Sequence, residues 1–227
     1  MLATLAVKDV PLFQGLSDLE LDAVKKCLIE KSFDKGEALF FEGKPCERVF
    51  IIRSGRVKLY RTSSSGREQI LETLTAGDTC ACNPGSVKWS CSSSAEALTP
   101  ISVWFLSRDH YIRTVQTNAK VSQALNRLFA ERLQCFSAMI EDMSLKDVKK
   151  RLVKFLLDMR TENNSTKEVK TEVLQIPFTR EEIAQRIGTA RETVARYLYQ
   201  LKRARLIDIK PRQIVIRDKE GLEKLLR

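Results

Sequence analysis

A chain of 227 residues, 43% hydrophobic and 30% charged, is long enough for one or two domains with cores of their own. That composition excludes a disordered tail, and no apolar run approaches the ~18 residues needed to cross a membrane. The formal charge of +10 is unevenly placed: residues 1–143 carry 18 Lys and Arg against 17 Asp and Glu, and residues 144–227 carry 21 against 12. A basic excess confined to the last third suits a polyanion partner whose phosphates supply affinity.

The N-terminal stretch "MLATLAVKDVPLF" has neither the basic n-region nor the long apolar core of a secretory signal. A cytoplasmic protein with mainly reduced thiols is expected, so the six cysteines are not a stapling framework. Within residues 17–31, Ser17 stands as an N-cap ahead of a helical stripe of Leu21, Val24 and Leu28. From about 32 to 107 the texture changes to short alternating runs. "RVFIIRSG", "RVKLYRTSSSG" and "QILETLTAGD" each read as a strand followed by a turn, with Gly55, Gly66 and Gly77 evenly spaced. "ISVWFLS" closes a series that predicts a β-sandwich or β-roll.

Residues 109–143 lack Gly and Pro. They carry two apolar stripes at helical spacing: Val121, Leu125, Leu128, Cys135 and Met139, and Phe129, Leu133, Phe136, Ile140 and Met143. That pattern predicts one long helix packed on two sides, covering the β-domain with one and a second chain with the other. The alternative is a helix buried within its own domain. Another helix over about 145–160 and the polar loop "TENNSTKEV" lead into the basic unit. The chain is therefore divided at 1–108 for a β-domain, 109–143 for a helix expected to pair two chains and 144–227 for a basic unit suited to nucleic acid.

"FTREEIAQRIGTARETVARYLYQLKRARLI" carries the clearest chemistry. Thr179 and Glu182 form a capping box, and Thr189 with Glu192 reads as a second. Gly188 supplies the tight turn between the two helices, and Ala184 lets them cross closely. Ile183, Ile187, Val194 and Leu198 take the inward positions of a helix-turn-helix. The second helix would enter the major groove by its N-terminal end, where Arg191, Glu192 and Arg196 project. Arginine grips guanine O6 and N7 bidentately, and Glu accepts from cytosine N4. Glu192 either reads a base or serves as a cap alone. Arg180, Thr193, Lys202 and Arg203 read as phosphate contacts, which position rather than specify. "LIDIKPRQIVIRD" reads as a β-hairpin wing with Arg212 at its tip.

These parts, in this order, resemble the cyclic-AMP receptor / fumarate–nitrate reduction regulator family of bacterial transcription factors. The likeness runs through "FQGLSDLELDAV", "FDKGEALFFEG", "VFIIRSGRVKLYRTSSSGRE", "LTAGD" and the basic unit, with "RETVARYL" especially close to the cyclic-AMP receptor branch. The resemblance implies an α+β fold: an N-terminal cyclic-nucleotide-binding-like β-roll, a long dimerisation helix and a C-terminal winged helix-turn-helix. It implies a homodimer on a palindromic operator in double-stranded DNA, with Arg191, Glu192 and Arg196 reading TGTGA-type half-sites. RNA polymerase would be a partner if the protein activates.

The sensor half departs from that branch. Where the branch has a Gly-Glu pair for the ribose and an arginine for the cyclic phosphate, this chain has residues near Cys82 and Asn83, and near Cys91. No arginine lies from Gly77 to Ser107, so a buried phosphate would go unpaired. Phe136 stands where a hydroxyl residue would meet the base. Cyclic AMP is thus not the expected effector. Fumarate–nitrate regulators hold an iron–sulfur cluster through N-terminal cysteines, and this N-terminus has none. Instead Cys80, Cys82 and Cys91 lie where relatives hold their effector, with an "NPG" turn between them, and Cys135 on the helix is a fourth candidate. Four thiolates suit zinc or an iron–sulfur cluster, and three suit a soft ion. Two suit a regulatory disulfide or polysulfide link. Reduced cysteines packed as small apolar residues remain an alternative, best suited to Cys27, Cys46 and Cys135. A small organic ligand with incidental cysteines is the competing reading. His110, the one histidine, fits a surface or capping role better than haem ligation, and Trp89 and Trp104 read as core or pocket wall. No phosphate loop, zinc-hydrolase motif or nucleophile–base pair points to an enzyme.

Overall fold

A computed structural model describes residues 5–80, 86, 89–163, 172–175, 178–210 and 213–226. Cys82 and Arg212, the "NPG" turn and most of the loop after residue 163 lie outside the described residues. The chain divides into two compact units, Met1–Phe136 and Ser137–Arg227.

The first unit begins with two 3-10 turns and helix α1 (Asp18–Cys27). Ser17 starts α1 through a capping box, its hydroxyl accepting from the Glu20 N–H while the Glu20 carboxylate accepts from the Ser17 N–H at 2.7 Å. The helix ends before residue 31, because Leu28 is already extended and the next residues are drawn into a sheet. Seven strands follow: β1 (Ile29–Phe33), β2 (Ala38–Phe40), β3 (Arg48–Ser54), β4 (Val57–Thr62), β5 (Glu68–Leu74), β6 (Ser94–Ala97) and β7 (Ile101–Ser107). They form antiparallel sheets of order β1-β7-β3 and β2-β6-β4-β5.

The run Val49-Phe50-Ile51-Ile52 is apolar at every position because β3 is covered on both faces. Phe50 and Ile52 join Val57, Leu74 and Val103 in one core, while Val49 and Ile51 join Phe13, Leu106, Tyr111 and Val121 in another. Gly55 and Gly66 close the β3–β4 and β4–β5 turns with φ of +86° and +78°, a region that side chains with a Cβ rarely adopt.

The stretch expected as one helix over 109–143 is two, α2 (Arg108–Thr117) and α3 (Ala119–Leu145). Asn118 makes the break. Its backbone is extended, and its Oδ1 accepts from the N–H groups of Lys120 (3.0 Å) and Val121 (3.2 Å). A short polar side chain that satisfies end donors favours a cap over a helix interior. Early in α3, Val121 and Leu125 are buried in the first unit's core. Later, Leu133, Phe136, Ile140 and Met143 are exposed, Leu133 at 67% and Ile140 at 66%.

The second unit comprises the end of α3, α4 (Val148–Asn163), β8 (Glu172–Gln175), α5 (Arg180–Ile187), α6 (Arg191–Arg203), β9 (Ile207–Lys210), β10 (Gln213–Ile216) and α7 (Lys219–Lys224). Its sheet, of order β8-β10-β9, includes the expected wing hairpin β9–β10. Leu152 and Leu156 of α4 pack with Ile183, Val194, Leu198 and Ile214 in one core. Among the described residues no helix is long and apolar enough to cross a membrane.

Candidate nucleic-acid interface and effector pocket

The two-helix unit is built as its residue pattern requires. Thr179 caps α5, its Oγ1 accepting from the Glu182 N–H at 3.1 Å while the Glu182 carboxylate accepts from the Thr179 N–H. Gly188 ends α5 in the left-handed region (φ +67°), returning its N–H to the Ala184 carbonyl. The second expected capping box is not formed. The N-cap of α6 is Ala190, one residue after Thr189, and no side chain caps it. Its carbonyl accepts from the N–H groups of Thr193 and Val194 instead.

Packing decides which residues of α6 face outward. Val194, Leu198 and Leu201 are buried against Ile183, Ala184 and Ile187. Arg191, Glu192 and Arg196 are exposed, as are Arg180, Lys202 and Arg203, while Thr193 is half-buried. Glu192 and Arg196 are four apart and therefore neighbours on one helix face. The uncapped start of α6 adds the positive end of a helix dipole to this surface. Arg151 of α4, not singled out from the sequence, locks the unit. Its guanidinium donates to the carbonyls of Ile187 (2.8 Å), Gly188 (3.4 Å) and Lys146 (2.8 Å). This ties the turn between α5 and α6 to α4.

In the first unit a cavity of about 460 Å³ lies between sheet β2-β6-β4-β5 and α3. Phe40, Leu59 and Leu71 line the sheet side and Phe129, Leu133 and Phe136 the helix side, with Trp89 also on the wall. Cys46, Cys80 and Cys91 line it together. Cys46, read from sequence as a packing residue, thus joins Cys80 and Cys91. Its placement depends on a pairing of residues 43–46 with 89–91, anchored by a Pro45–Ser90 bridge, that no local pattern announces. Cys135 is exposed and is not on the cavity wall, because its neighbours Arg132 and Phe136 occupy the inward face of that turn of α3. Among the described residues no group of three or more His, Cys, Asp or Glu side chains is placed to hold a metal ion.

Each thiol has a defined setting. The sulfur of Cys80 accepts from the Phe50 N–H at 3.4 Å, and Cys46 donates to the Arg48 carbonyl at 3.6 Å. Burial pushes the Cys91 thiol up to about 12, and its neighbours Cys46 and Cys80 add to the rise. None of the five described cysteines is in a disulfide.

The expectation that the pocket lacks an arginine holds for residues 77–107 but not for the cavity. Arg132 of α3 lines it, donating to Glu72 at 3.1 Å and to the Thr79 carbonyl at 2.6 Å. Burial raises the Glu72 carboxyl above the usual carboxylate range despite the pull of Arg132. His110 sits in the first turn of α2, its Nδ1 2.7 Å from the Ser107 hydroxyl, and is exposed. Trp104 is buried in the core, and Trp89 packs edge-on to Tyr111.

Comparison with known proteins matches residues 30–118 to the cyclic nucleotide-binding domain and residues 150–225 to the Crp-like helix-turn-helix domain. The chain is 30% identical over 220 residues to the CRP-like cAMP-activated global transcriptional regulator of Mycobacterium tuberculosis, covering 95% of this chain and 96% of that one. Among solved structures it is similar to a Crp/Fnr-family transcriptional regulator from Eubacterium rectale (TM-score 0.73, 26% identity, covering 96% and 98% of the two chains). It is also similar to FixK2 from Bradyrhizobium japonicum (TM-score 0.72, 27% identity, covering 87% and 96%).

Proposed function

We propose a function on one premise: this chain belongs to the cyclic-AMP receptor / fumarate–nitrate reduction regulator family of transcription factors. It is a DNA-binding regulator and not an enzyme. As a homodimer it binds a palindromic operator, placing two α6 helices in successive major grooves ~34–36 Å apart. Arg191, Glu192 and Arg196 read base edges in TGTGA-like half-sites. Arg180, Thr193, Lys202, Arg203 and the wing residue Arg212 hold phosphates, and an activating role would bring RNA polymerase as a partner. Support for the dimer comes from the exposed apolar stripe Leu133, Phe136, Ile140 and Met143 on α3, which a second copy would cover.

The effector reading rests on one observation: Cys46, Cys80 and Cys91 line a single cavity against α3. The signal is a thiol-directed one, oxidative, sulfur-borne or metallic, and it acts by shifting the population of recognition-helix placements. The relatives named as cAMP-activated suggest a cyclic nucleotide, but the arginine on this cavity is engaged by Glu72 and Thr79, and cysteine stands near the phosphate-binding position. A second reading, a small organic ligand with incidental cysteines, draws support from the cavity's size and aromatic walls.

Selection of bound duplexes from a random pool tests the first part: a two-fold symmetric site is expected, and an asymmetric site would overturn it. Alkylation of the pocket thiols tests the second. Abolition of the regulatory response supports thiol sensing, whereas an unchanged response supports the organic ligand.

A further inference from the structure

Cys46 and Cys91 are brought together by a short ladder outside the named strands. Pro45 and Ser90 form an antiparallel bridge, the Cys46 N–H donates to the Trp89 carbonyl at 2.7 Å, and the Cys91 N–H donates to the Lys44 carbonyl at 2.9 Å. In that register Cys46 lies opposite Trp89 and Cys91 opposite Lys44. The two cysteines share a face and are diagonal neighbours. Both side chains line the 460 Å³ cavity, and Cys46 adds to the upward push on the Cys91 thiol.

The diagonal register separates two kinds of dithiol chemistry. Diagonal neighbours have Cα atoms ~7–8 Å apart, whereas a disulfide needs ~4.4–6.8 Å. A direct sulfur–sulfur bond therefore requires the ladder to shift, while an atom inserted between the sulfurs does not. Charge narrows the choice of atom. Arg132 is already engaged by Glu72, and the Cys91 thiol is held in its protonated form by burial. A centre that left the site with a net negative charge would bury that charge without a partner. A neutral electrophile that reacts with neutral thiols to give a neutral product carries no such cost.

We infer that Cys46 and Cys91 form a dithiol site for a trivalent arsenical, arsenous acid or an aryl derivative. Its regulatory consequence rests on the cavity being the effector site. In the reaction two S–H bonds and two As–O bonds break, two As–S bonds form, and the released hydroxyls leave as two waters. Arsenic stays trivalent and no electrons are transferred. The aromatic side chains of Phe40, Phe129 and Phe136 on the cavity wall suit an aryl substituent.

The test uses the reduced full-length protein and phenylarsine oxide, read by intact mass and thiol titration, with operator affinity measured on the same samples. One equivalent per chain is expected, consuming two thiols and reversed by excess small dithiol. Uptake should vanish in Cys46→Ser and in Cys91→Ser, with Cys46→Ala and Cys91→Ala as alternatives if a serine variant misfolds. It should persist when any of the other four cysteines is replaced. Uptake retained without Cys46 or without Cys91 overturns the site. Uptake as expected with operator affinity unchanged upholds the dithiol site while removing the thiol-sensing function. No uptake beside an intact thiol-dependent response removes the site and keeps that function.

Discussion

Replacing Arg196 by lysine keeps the positive charge of the recognition helix and removes the planar fork that grips a guanine. Arg196 is exposed, and its guanidinium lies 5.3 Å from the Tyr197 ring centroid, so the change should alter stability by only about 0.5 kcal/mol or less. One bidentate contact carries ~1–3 kcal/mol of base discrimination, or about 5- to 150-fold in affinity. A dimer uses the residue in both half-sites, which raises the expected loss on an operator to about 2–6 kcal/mol if the sites act independently. Affinity for scrambled DNA and the slope of log affinity against log salt should stay as they were, since neither the charge nor the number of phosphates neutralised changes. Fluorescence anisotropy on operator and scrambled duplexes at several salt concentrations reads all three quantities. Equal losses on both duplexes, or no loss on the operator, would refute base reading by Arg196.

The same geometry fixes the direction of other perturbations. Thr179→Ala removes the cap of α5 and should cost ~1 kcal/mol, measured by urea unfolding. Gly55→Ala places a Cβ 2.5 Å from the Pro100 carbonyl oxygen at a φ of +86°, while Gly66→Ala meets nothing within 4 Å at a φ of +78°. The Gly66 variant should lose only the left-handed penalty of ~1–2 kcal/mol, and the Gly55 variant ~1–3 kcal/mol more for overpacking; equal melting temperatures would contradict the packing described. Cys91, with its thiol pushed up to about 12, should alkylate more slowly at neutral pH than exposed Cys135, its rate still climbing well above pH 9 when followed by peptide mass. Because the folded state favours the protonated thiol, the stability this group contributes is fully present below its unfolded value near 9 and is lost as pH rises toward 12.

Local chemistry was legible in the sequence wherever neighbours in the chain decide the outcome. The Ser17 and Thr179 boxes, the left-handed Gly188 and the β-strands between Gly55 and Gly77 follow from residue type and spacing. The break at Asn118 carried a signal too, since asparagine caps helices, but the absence of Gly and Pro hid it. Thr189 resembled a cap more than Ala190 does; packing of Val194 against α5 sets the start of α6 one residue later. The cavity was less legible. Cys46 reaches it through a pairing with Trp89, 43 residues away in sequence. Arg132 reaches it from a helix 60 residues beyond its partner Glu72. Neither separation leaves a periodic trace.

If thiols in this cavity govern DNA binding, operator affinity must follow their chemical state. Operator affinity should be measured by anisotropy for reduced protein, for protein treated with a thiol-directed reagent, and for a Cys46→Ser, Cys80→Ser, Cys91→Ser variant given the same treatment. A shift in affinity of about tenfold or more, ~1.4 kcal/mol in the coupling between the sites, is expected in the wild type and should vanish in the variant. The same shift in both proteins, or none in the wild type, would contradict it.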